Sequence, residues 1–148
     1  MEERFKTFTV LMANITRNIR RIKTEEMAEF HLKSPHVSCL YYLYTEDALT
    51  AKELCDVCEE DKANISRTID YLETNGYLIR QPQDNKKYKN HLTLTEKGKA
   101  VGQQIAEKID RILTEAGEGI SEANRTIMYE SLFSINSNLQ KHCSAHEK

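Results

Sequence analysis

Thiol and imidazole side chains that could bind a metal or react with an oxidant lie in three short segments. Cys55 and Cys58 have the separation of a redox motif, but they fall inside a short helical pattern, so we interpret them as packing residues. His36 and Cys39 are three residues apart and would share a helix face. They could be metal ligands, a redox pair or packing residues. The third segment, near the C-terminus, contains His142, Cys143 and His146. A tetrahedral site needs further ligands that none of these segments supplies, so we predict no metal site.

The rest of the chain offers little that would support catalysis. Neither an oriented third group beside the cysteines, nor a paired-carboxylate constellation, nor a glycine-rich phosphate loop is evident in it. We therefore predict that the protein is not an enzyme and needs no cofactor.

Length and composition indicate one soluble domain. A chain of 148 residues that is 39% hydrophobic can bury a real core. The charged N-terminus is not followed by an apolar block, and no apolar run approaches the roughly eighteen residues of a membrane span. We expect a cytoplasmic protein with reduced cysteines and no membrane partner.

Basic residues are unevenly distributed along a chain whose formal net charge is -2. Residues 62–89 carry six basic and three acidic side chains, a local charge of +3, whereas residues 52–61 are strongly acidic. The acidic block argues against tight nonspecific binding to nucleic acid. The basic segment is compatible with modest, salt-sensitive binding by a dimer that doubles the basic face.

The elements that would position these basic residues form a compact unit from about residue 48 to 98. Thr50 and Glu53 predict a capping box for one short helix, and Asp61 predicts the cap of a second, from about residue 61 to 75, which Gly76 ends. Alternating apolar residues then indicate a two-stranded hairpin, or wing, over 78–94, with a turn at 82–85. This order of elements is typical of a winged helix-turn-helix, which places one helix in the DNA major groove.

Long helices are predicted on both sides of this unit. Apolar residues alternate spacings of four and three from Met1 to Ile22 and again from Met128 to His142, as in a heptad seam. Ser34 and Pro35 begin a further helix, with Ser34 as its cap, and Thr95 and Ser121 are expected to cap the two C-terminal helices. The seams are too large for the small winged core to cover, so we expect a homodimer with intertwined terminal helices.

The predicted fold is mainly α with a small β-hairpin wing. A winged helix-turn-helix core is flanked by long N- and C-terminal dimerisation helices. We assign residues 1–33 to the N-terminal dimerisation helix, 34–98 to the DNA-binding region and 99–148 to the C-terminal dimerisation helices, all within one intertwined domain.

Several short motifs resemble the MarR (multiple antibiotic resistance regulator) family over nearly the whole chain. They are Leu49-Thr50 with Glu53-Leu54, Ile65-Ser66-Arg67 with Leu72-Glu73 and Gly76, and Leu94-Thr95-Glu96-Lys97-Gly98. The resemblance implies a homodimeric bacterial or archaeal transcriptional regulator, often a repressor. Such a protein binds double-stranded DNA at a pseudo-palindromic operator and is released by a small-molecule effector, or by a redox or metal signal.

The same resemblance implies which residues contact DNA. In the recognition helix they are Lys62, Ala63, Asn64, Ser66 and Arg67, to which we add Arg80 and, in the wing, Lys86, Lys87, Tyr88 and Lys89. Asn64 is suited to adenine and Arg67 to guanine or a phosphate. The family's Asp-x-Arg wing motif aligns with Lys86, Lys87 and Tyr88, so both the acidic residue and the arginine are replaced. We therefore predict that the wing binds mainly the phosphate backbone. The effector cleft would lie near His36, Cys39 and Tyr42.

Two other functions remain open at this point. The acidic overall charge permits a winged-helix module that binds another protein instead of DNA. The spacing of Cys55 and Cys58 permits, with less support, a thiol redox protein.

Overall fold

The computed structural model of the chain describes residues 2–58, 60–81 and 91–145. Within these residues the chain forms six α-helices, one short 3-10 helix (Ala28–Phe30) and three short strands. The helices are α1 (Glu2–Glu26), α2 (Ser34–Thr45), α3 (Ala51–Cys58), α4 (Lys62–Thr74), α5 (Glu96–Ala116) and α6 (Glu122–Ser144). The strands are β1 (Leu49–Thr50), β2 (Leu78–Arg80) and β3 (His91–Leu94). This architecture confirms the predicted, mainly helical winged-helix fold.

Local capping determines where most helices begin, as predicted. Thr50 and Glu53 form a reciprocal capping box: the Thr50 amide donates to Glu53 Oε2 at 2.7 Å, and the Glu53 amide donates to Thr50 Oγ1 at 3.2 Å. Ser121 caps α6 by accepting from the Asn124 amide at 3.2 Å. These bonds satisfy backbone donors that have no partner inside the helix.

The prediction that Ser34 caps α2 was wrong. Lys33 is the N-cap residue and Ser34 is already helical. The Lys33 amide donates to Nδ1 of His36 at 3.0 Å, so the imidazole of the third helical residue accepts the amide proton of the N-cap residue. Pro35 does lie in the first turn, where its missing amide proton costs nothing.

The predicted antiparallel pairing of the two wing strands, β2 and β3, is confirmed, and a third strand that we did not predict, β1, extends them to a three-stranded sheet in the order β1-β3-β2. Leu49 pairs with Leu92, and Leu78 pairs with Leu94. The additional strand, β1, has two residues. So short a segment contains no alternation for a sequence pattern to detect.

A buried apolar core joins α2, α3 and α4 to the sheet and to the first half of α5. Its largest fully buried side chains include Leu40, Leu54, Ile65, Leu72 and Ile105. Burying each of these contributes about 1.5–3 kcal/mol to folding. The core fixes α4 by its inner side and leaves the outer side of that helix to solvent.

The chain divides into two compact units, Met1–Ile109 and Asp110–Lys148. Our assignment of functional segments, 1–33, 34–98 and 99–148, remains a prediction. Among the described residues, no helix is both long enough and apolar enough to cross a membrane.

Candidate nucleic-acid interface

Helix α4 presents a small, basic and polar surface at its first two turns. Ile65, Ile69 and Leu72 are buried on one side of this helix. The exposed residues at its start are Lys62, Ala63, Ser66 and Arg67. Because residues three and four apart share a helix face, these four side chains form one continuous surface.

The start of α4 is fixed by its cap. Asp61 Oδ1 accepts a hydrogen bond from the Asn64 amide at 2.7 Å. The cap satisfies one of the orphan amides of the first turn. The orientation of the exposed residues is therefore set by the helix and not by a flexible loop.

Asn64 differs from its exposed neighbours. Its side chain is half-buried, and its amide nitrogen donates to Glu60 Oε2 at 2.6 Å. Glu60 also lies 4.0 Å from a guanidinium nitrogen of Arg20 in α1. The predicted adenine contact of Asn64 would require its side chain to leave Glu60. The sequence did not reveal the role of Glu60, because this residue precedes the cap of α4 and the helical spacing of side-chain pairs does not apply to it.

Arg80 of β2 is engaged inside the protein. Its guanidinium pairs with Asp70 and, at 3.3 Å, with Glu73, both on the exposed side of α4. The Arg80 side chain is 27% exposed, so it is half-buried between the wing and the helix. The structure thus places this predicted DNA-contacting residue where it neutralises two carboxylates of the recognition helix.

The base of the wing is attached to the end of α4 through the first turn of α5. Thr95 Oγ1 donates to the Gly76 carbonyl at 2.6 Å and accepts from the Gly98 amide at 3.0 Å. Lys97 Nζ donates to the Asn75 carbonyl at 2.8 Å and lies over the ring of Tyr77. The Leu94 to Gly98 motif is therefore a structural connection that holds the wing beside the recognition helix.

The predicted wing contacts lie outside the described residues. They are Lys86, Lys87, Tyr88 and Lys89. Their assignment as DNA contacts remains a prediction.

The predicted sensor residues have separate surroundings. His36 stacks on Tyr71 with ring centroids 4.2 Å apart, and burial, followed by the nearby Lys33 charge, lowers the pKa of His36. Cys39 is fully buried, with its sulfur 3.9 Å from that of Cys58. Tyr42 packs edge-on against its neighbour Tyr41, with centroids 5.2 Å apart. The contacts of the three residues thus lead to three different partners.

An open cavity of about 490 Å³ lies between the end of α2, the sheet and the start of α5, and none of the three predicted sensor residues lines it. Its lining includes Leu43, Tyr44, Leu94 and Lys99. The volume is in the range of small-molecule sites. In the described part of the chain, no three histidine, cysteine or acidic side chains are grouped so as to hold a metal ion.

Comparison with known proteins is consistent with this geometry. The sequence profile of the MarR family matches residues 32–87, which include α2, α3 and α4. An uncharacterised HTH-type transcriptional regulator of Bacillus cereus is 24% identical over 131 residues, covering 88% of this chain and 87% of that protein.

Solved structures match the chain over nearly its whole length. A MarR family transcriptional regulator of Listeria monocytogenes, solved in complex with a 26mer DNA, is 25% identical with a TM-score of 0.80, covering 93% of each chain. A MarR family regulator of Neisseria meningitidis is 20% identical with a TM-score of 0.79, covering 98% of this chain and 97% of that one. Residues 32–87 thus carry the sequence profile of the MarR family, and the chain is similar to MarR family transcriptional regulators over nearly its whole length.

Proposed function

We propose that this protein is a homodimeric transcriptional repressor that binds a pseudo-palindromic operator in double-stranded DNA. The observation that carries the proposal is the start of α4, where Lys62, Ala63, Ser66 and Arg67 are exposed while the opposite side of the helix is buried. Small and basic side chains at the N-terminal turns of a rigid helix are what close approach to base edges and phosphates requires.

Charge on this helix supports the same function. Within the described residues, neither Lys62 nor Arg67 has an acidic partner at salt-bridge distance, so both charges are available to DNA. Asp70 and Glu73, which would repel phosphate, are paired with Arg80. In this proposal Arg67 binds guanine or a phosphate, and Lys62 binds a phosphate. The Listeria monocytogenes relative, which was solved with DNA, supports binding of the same ligand here.

The wing contributes phosphate contacts in this account. Lys86, Lys87 and Lys89 supply charge without the arginine that is suited to the minor groove. They would add affinity and salt dependence more than sequence preference.

We base the proposed dimer on exposed apolar side chains of α1 and of α6, and we consider each helix separately. On α1 these include Phe5, Leu11 and Ile15, which are 75%, 54% and 44% exposed. On α6 they include Phe133 and Leu139, at 74% and 55%. Large apolar side chains that recur along a helix and remain this exposed are typical of an interface. A dimer would present two α4 helices to the two half-sites of the operator.

We propose that a bound effector alters the spacing between the two α4 helices of the dimer. An effector that binds one spacing better than the other shifts the equilibrium by its difference in affinity for the two. The cavity lined by Tyr44 and Lys99 has the size and mixed polarity of a small-molecule site.

The experiment that tests the function is selection of fragments from the source genome at low salt. The wild-type protein should enrich a limited set of fragments that share a two-fold symmetric sequence. The variant with Lys62→Ala and Arg67→Ala should lose them. The control variant, with Arg4→Ala and Lys6→Ala in α1, removes the same charge and should retain them. Failure of the wild-type protein to enrich any fragment would contradict the proposal and favour a module that binds another protein.

A further inference from the structure

Two cysteines on different helices face each other beneath the helix-turn-helix. Cys39 lies in α2 and is fully buried, whereas Cys58 is the last residue of α3 and is half-buried. Their sulfur atoms are 3.9 Å apart, and both are free thiols. The Cys55-x-x-Cys58 spacing suggested a different pair. The structure instead brings together two cysteines that are nineteen residues apart.

The surroundings make the two sulfurs chemically unequal. The hydrogen bond between the two thiols, helped by the Lys23 charge, lowers the pKa of Cys58, although burial and the Glu60 carboxylate oppose the shift. The same hydrogen bond, together with burial, raises the pKa of Cys39. Burial also raises the pKa of Cys55. Lys23 is held in place because its ammonium group donates to Ser38 Oγ at 2.8 Å. Cys58 is half-buried and close to the Lys23 charge, whereas Cys39 is fully buried, so Cys58 is the better nucleophile and Cys39 is its protonated neighbour.

We propose that Cys58 and Cys39 form an oxidation site at which a hydroperoxide converts the two thiols into an intrachain disulfide. The Cys58 thiolate attacks the outer peroxide oxygen and the O–O bond breaks, giving a sulfenic acid and, once protonated, an alcohol or water. The Cys39 sulfur then attacks the Cys58 sulfur, the S–O bond breaks, and the hydroxide leaves with the Cys39 proton as water. Two thiols and one hydroperoxide give one disulfide, one alcohol or water and a further water.

Closing the disulfide would pull on the connection to the recognition helix. The two sulfurs must approach from 3.9 Å to about 2.05 Å. Cys58 ends α3 just before Glu60, which accepts from the Asn64 side chain, and Asp61, which caps α4. We expect the first turn of α4 to shift and DNA affinity to fall. This consequence rests on the proposed DNA-binding function, whereas the thiol chemistry does not.

The chemical test uses the full chain with Cys55→Ser and Cys143→Ser, so that Cys39 and Cys58 are its only thiols. The reduced protein is treated with one equivalent of hydrogen peroxide or cumene hydroperoxide, blocked with N-ethylmaleimide, digested and analysed by mass spectrometry. Both thiols should be lost, and a Cys39–Cys58 peptide pair that dithiothreitol separates should appear. Persistence of both alkylated thiols, or linkage only between two chains, would overturn the proposal.

Single substitutions test the two roles. With Cys39→Ser the reaction should stop at a Cys58 sulfenic acid that dimedone traps, and with Cys58→Ser the remaining Cys39 should stay unreacted. Lys23→Met should slow oxidation several-fold, whereas Lys23→Arg should keep the rate because it retains the charge. An equal rate in all Lys23 variants would contradict the role of that ammonium group. Circular dichroism of each reduced variant confirms that it is folded.

DNA binding is then measured on a selected fragment before and after oxidation. The oxidised protein should bind roughly tenfold more weakly, a coupling of ordinary size, and dithiothreitol should restore the affinity. Unchanged affinity despite a mapped disulfide would refute the coupling to α4. A reduced protein that binds no fragment would refute the proposed function, while the peptide mapping would still decide the thiol chemistry.

Discussion

Two arginines, one in α4 and one in β2, have opposite surroundings. Arg67 is exposed on α4 and, in the described residues, has no acidic partner. Arg80 is half-buried between Asp70 and Glu73. In the proposed function Arg67 would bind DNA, whereas Arg80 would remove the repulsion that two carboxylates exert on phosphate.

Substitution of Arg80 distinguishes pairing from direct contact with DNA. Arg80→Gln should lower operator affinity several-fold because Asp70 and Glu73 become unpaired charges on the recognition helix. The stability loss should be about 1 kcal/mol or less, since these ion pairs are partly exposed.

The control is a triple variant with Arg80→Gln, Asp70→Asn and Glu73→Gln. If Arg80 acts by pairing, the triple variant should recover most of the affinity in fluorescence anisotropy titrations. If Arg80 contacts DNA itself, the triple variant should recover little of the lost affinity, because removing the carboxylates does not restore that contact.

Among the elements, the first turn of α5 joins the wing to the recognition helix. Thr95 bonds to the Gly76 carbonyl, and Lys97 bonds to the Asn75 carbonyl at the end of α4. Gly98 is buried, and a β-carbon there would overlap the backbone carbonyl of Tyr77. The glycine is thus required by close approach of two backbones.

Gly98→Ala should destabilise the protein by about 1–3 kcal/mol or more, because the backbone of Tyr77 cannot move aside cheaply. The measurement is urea unfolding followed by circular dichroism. Gly117→Ala is the matched control, since a β-carbon there meets its neighbours only at ordinary contact distances of 3.4 Å or more. Equal stability of the two variants would contradict the assigned role of Gly98.

Local signals made most of the element boundaries predictable. Thr50, Asp61, Thr95 and Ser121 each cap a helix through residues within three positions, so the whole signal lies in a short stretch of sequence. The errors concern two short segments. β1 has two residues and depends on pairing with β3, and the N-cap residue of α2 is Lys33 instead of Ser34.

The site was predictable only in part, because burial and long-range pairing decide which polar groups are available. The exposure of Lys62, Ser66 and Arg67 follows from the helical period. The pairing of Arg80 with Asp70 and Glu73, ten and seven positions earlier, and of Cys39 with Cys58, depends on tertiary structure. No sequence spacing signals either contact.

For the molecule as a whole, the exposed apolar side chains of α1 and α6 predict association in solution. A dimer would have twice the chain mass of 17.2 kDa. Leu139→Glu places a charge on an exposed apolar position of α6 and should shift sedimentation equilibrium toward the monomer. Gln140→Glu adds the same charge at the next, exposed polar position and should leave the dimer intact. A monomeric wild-type protein, or equal effects of both substitutions, would contradict the proposed role of α6.

The central claim is that the exposed start of α4 binds operator DNA. The most direct measurement is the salt dependence of affinity for a selected fragment, compared between wild type, Arg67→Ala and the control Arg4→Ala. Arg67→Ala should weaken binding by about 1–3 kcal/mol if it reads a base, or reduce the salt slope by about 1 if it binds a phosphate. Arg4→Ala should match wild type in both quantities. Equal affinity and equal slope in wild type and Arg67→Ala would contradict the account.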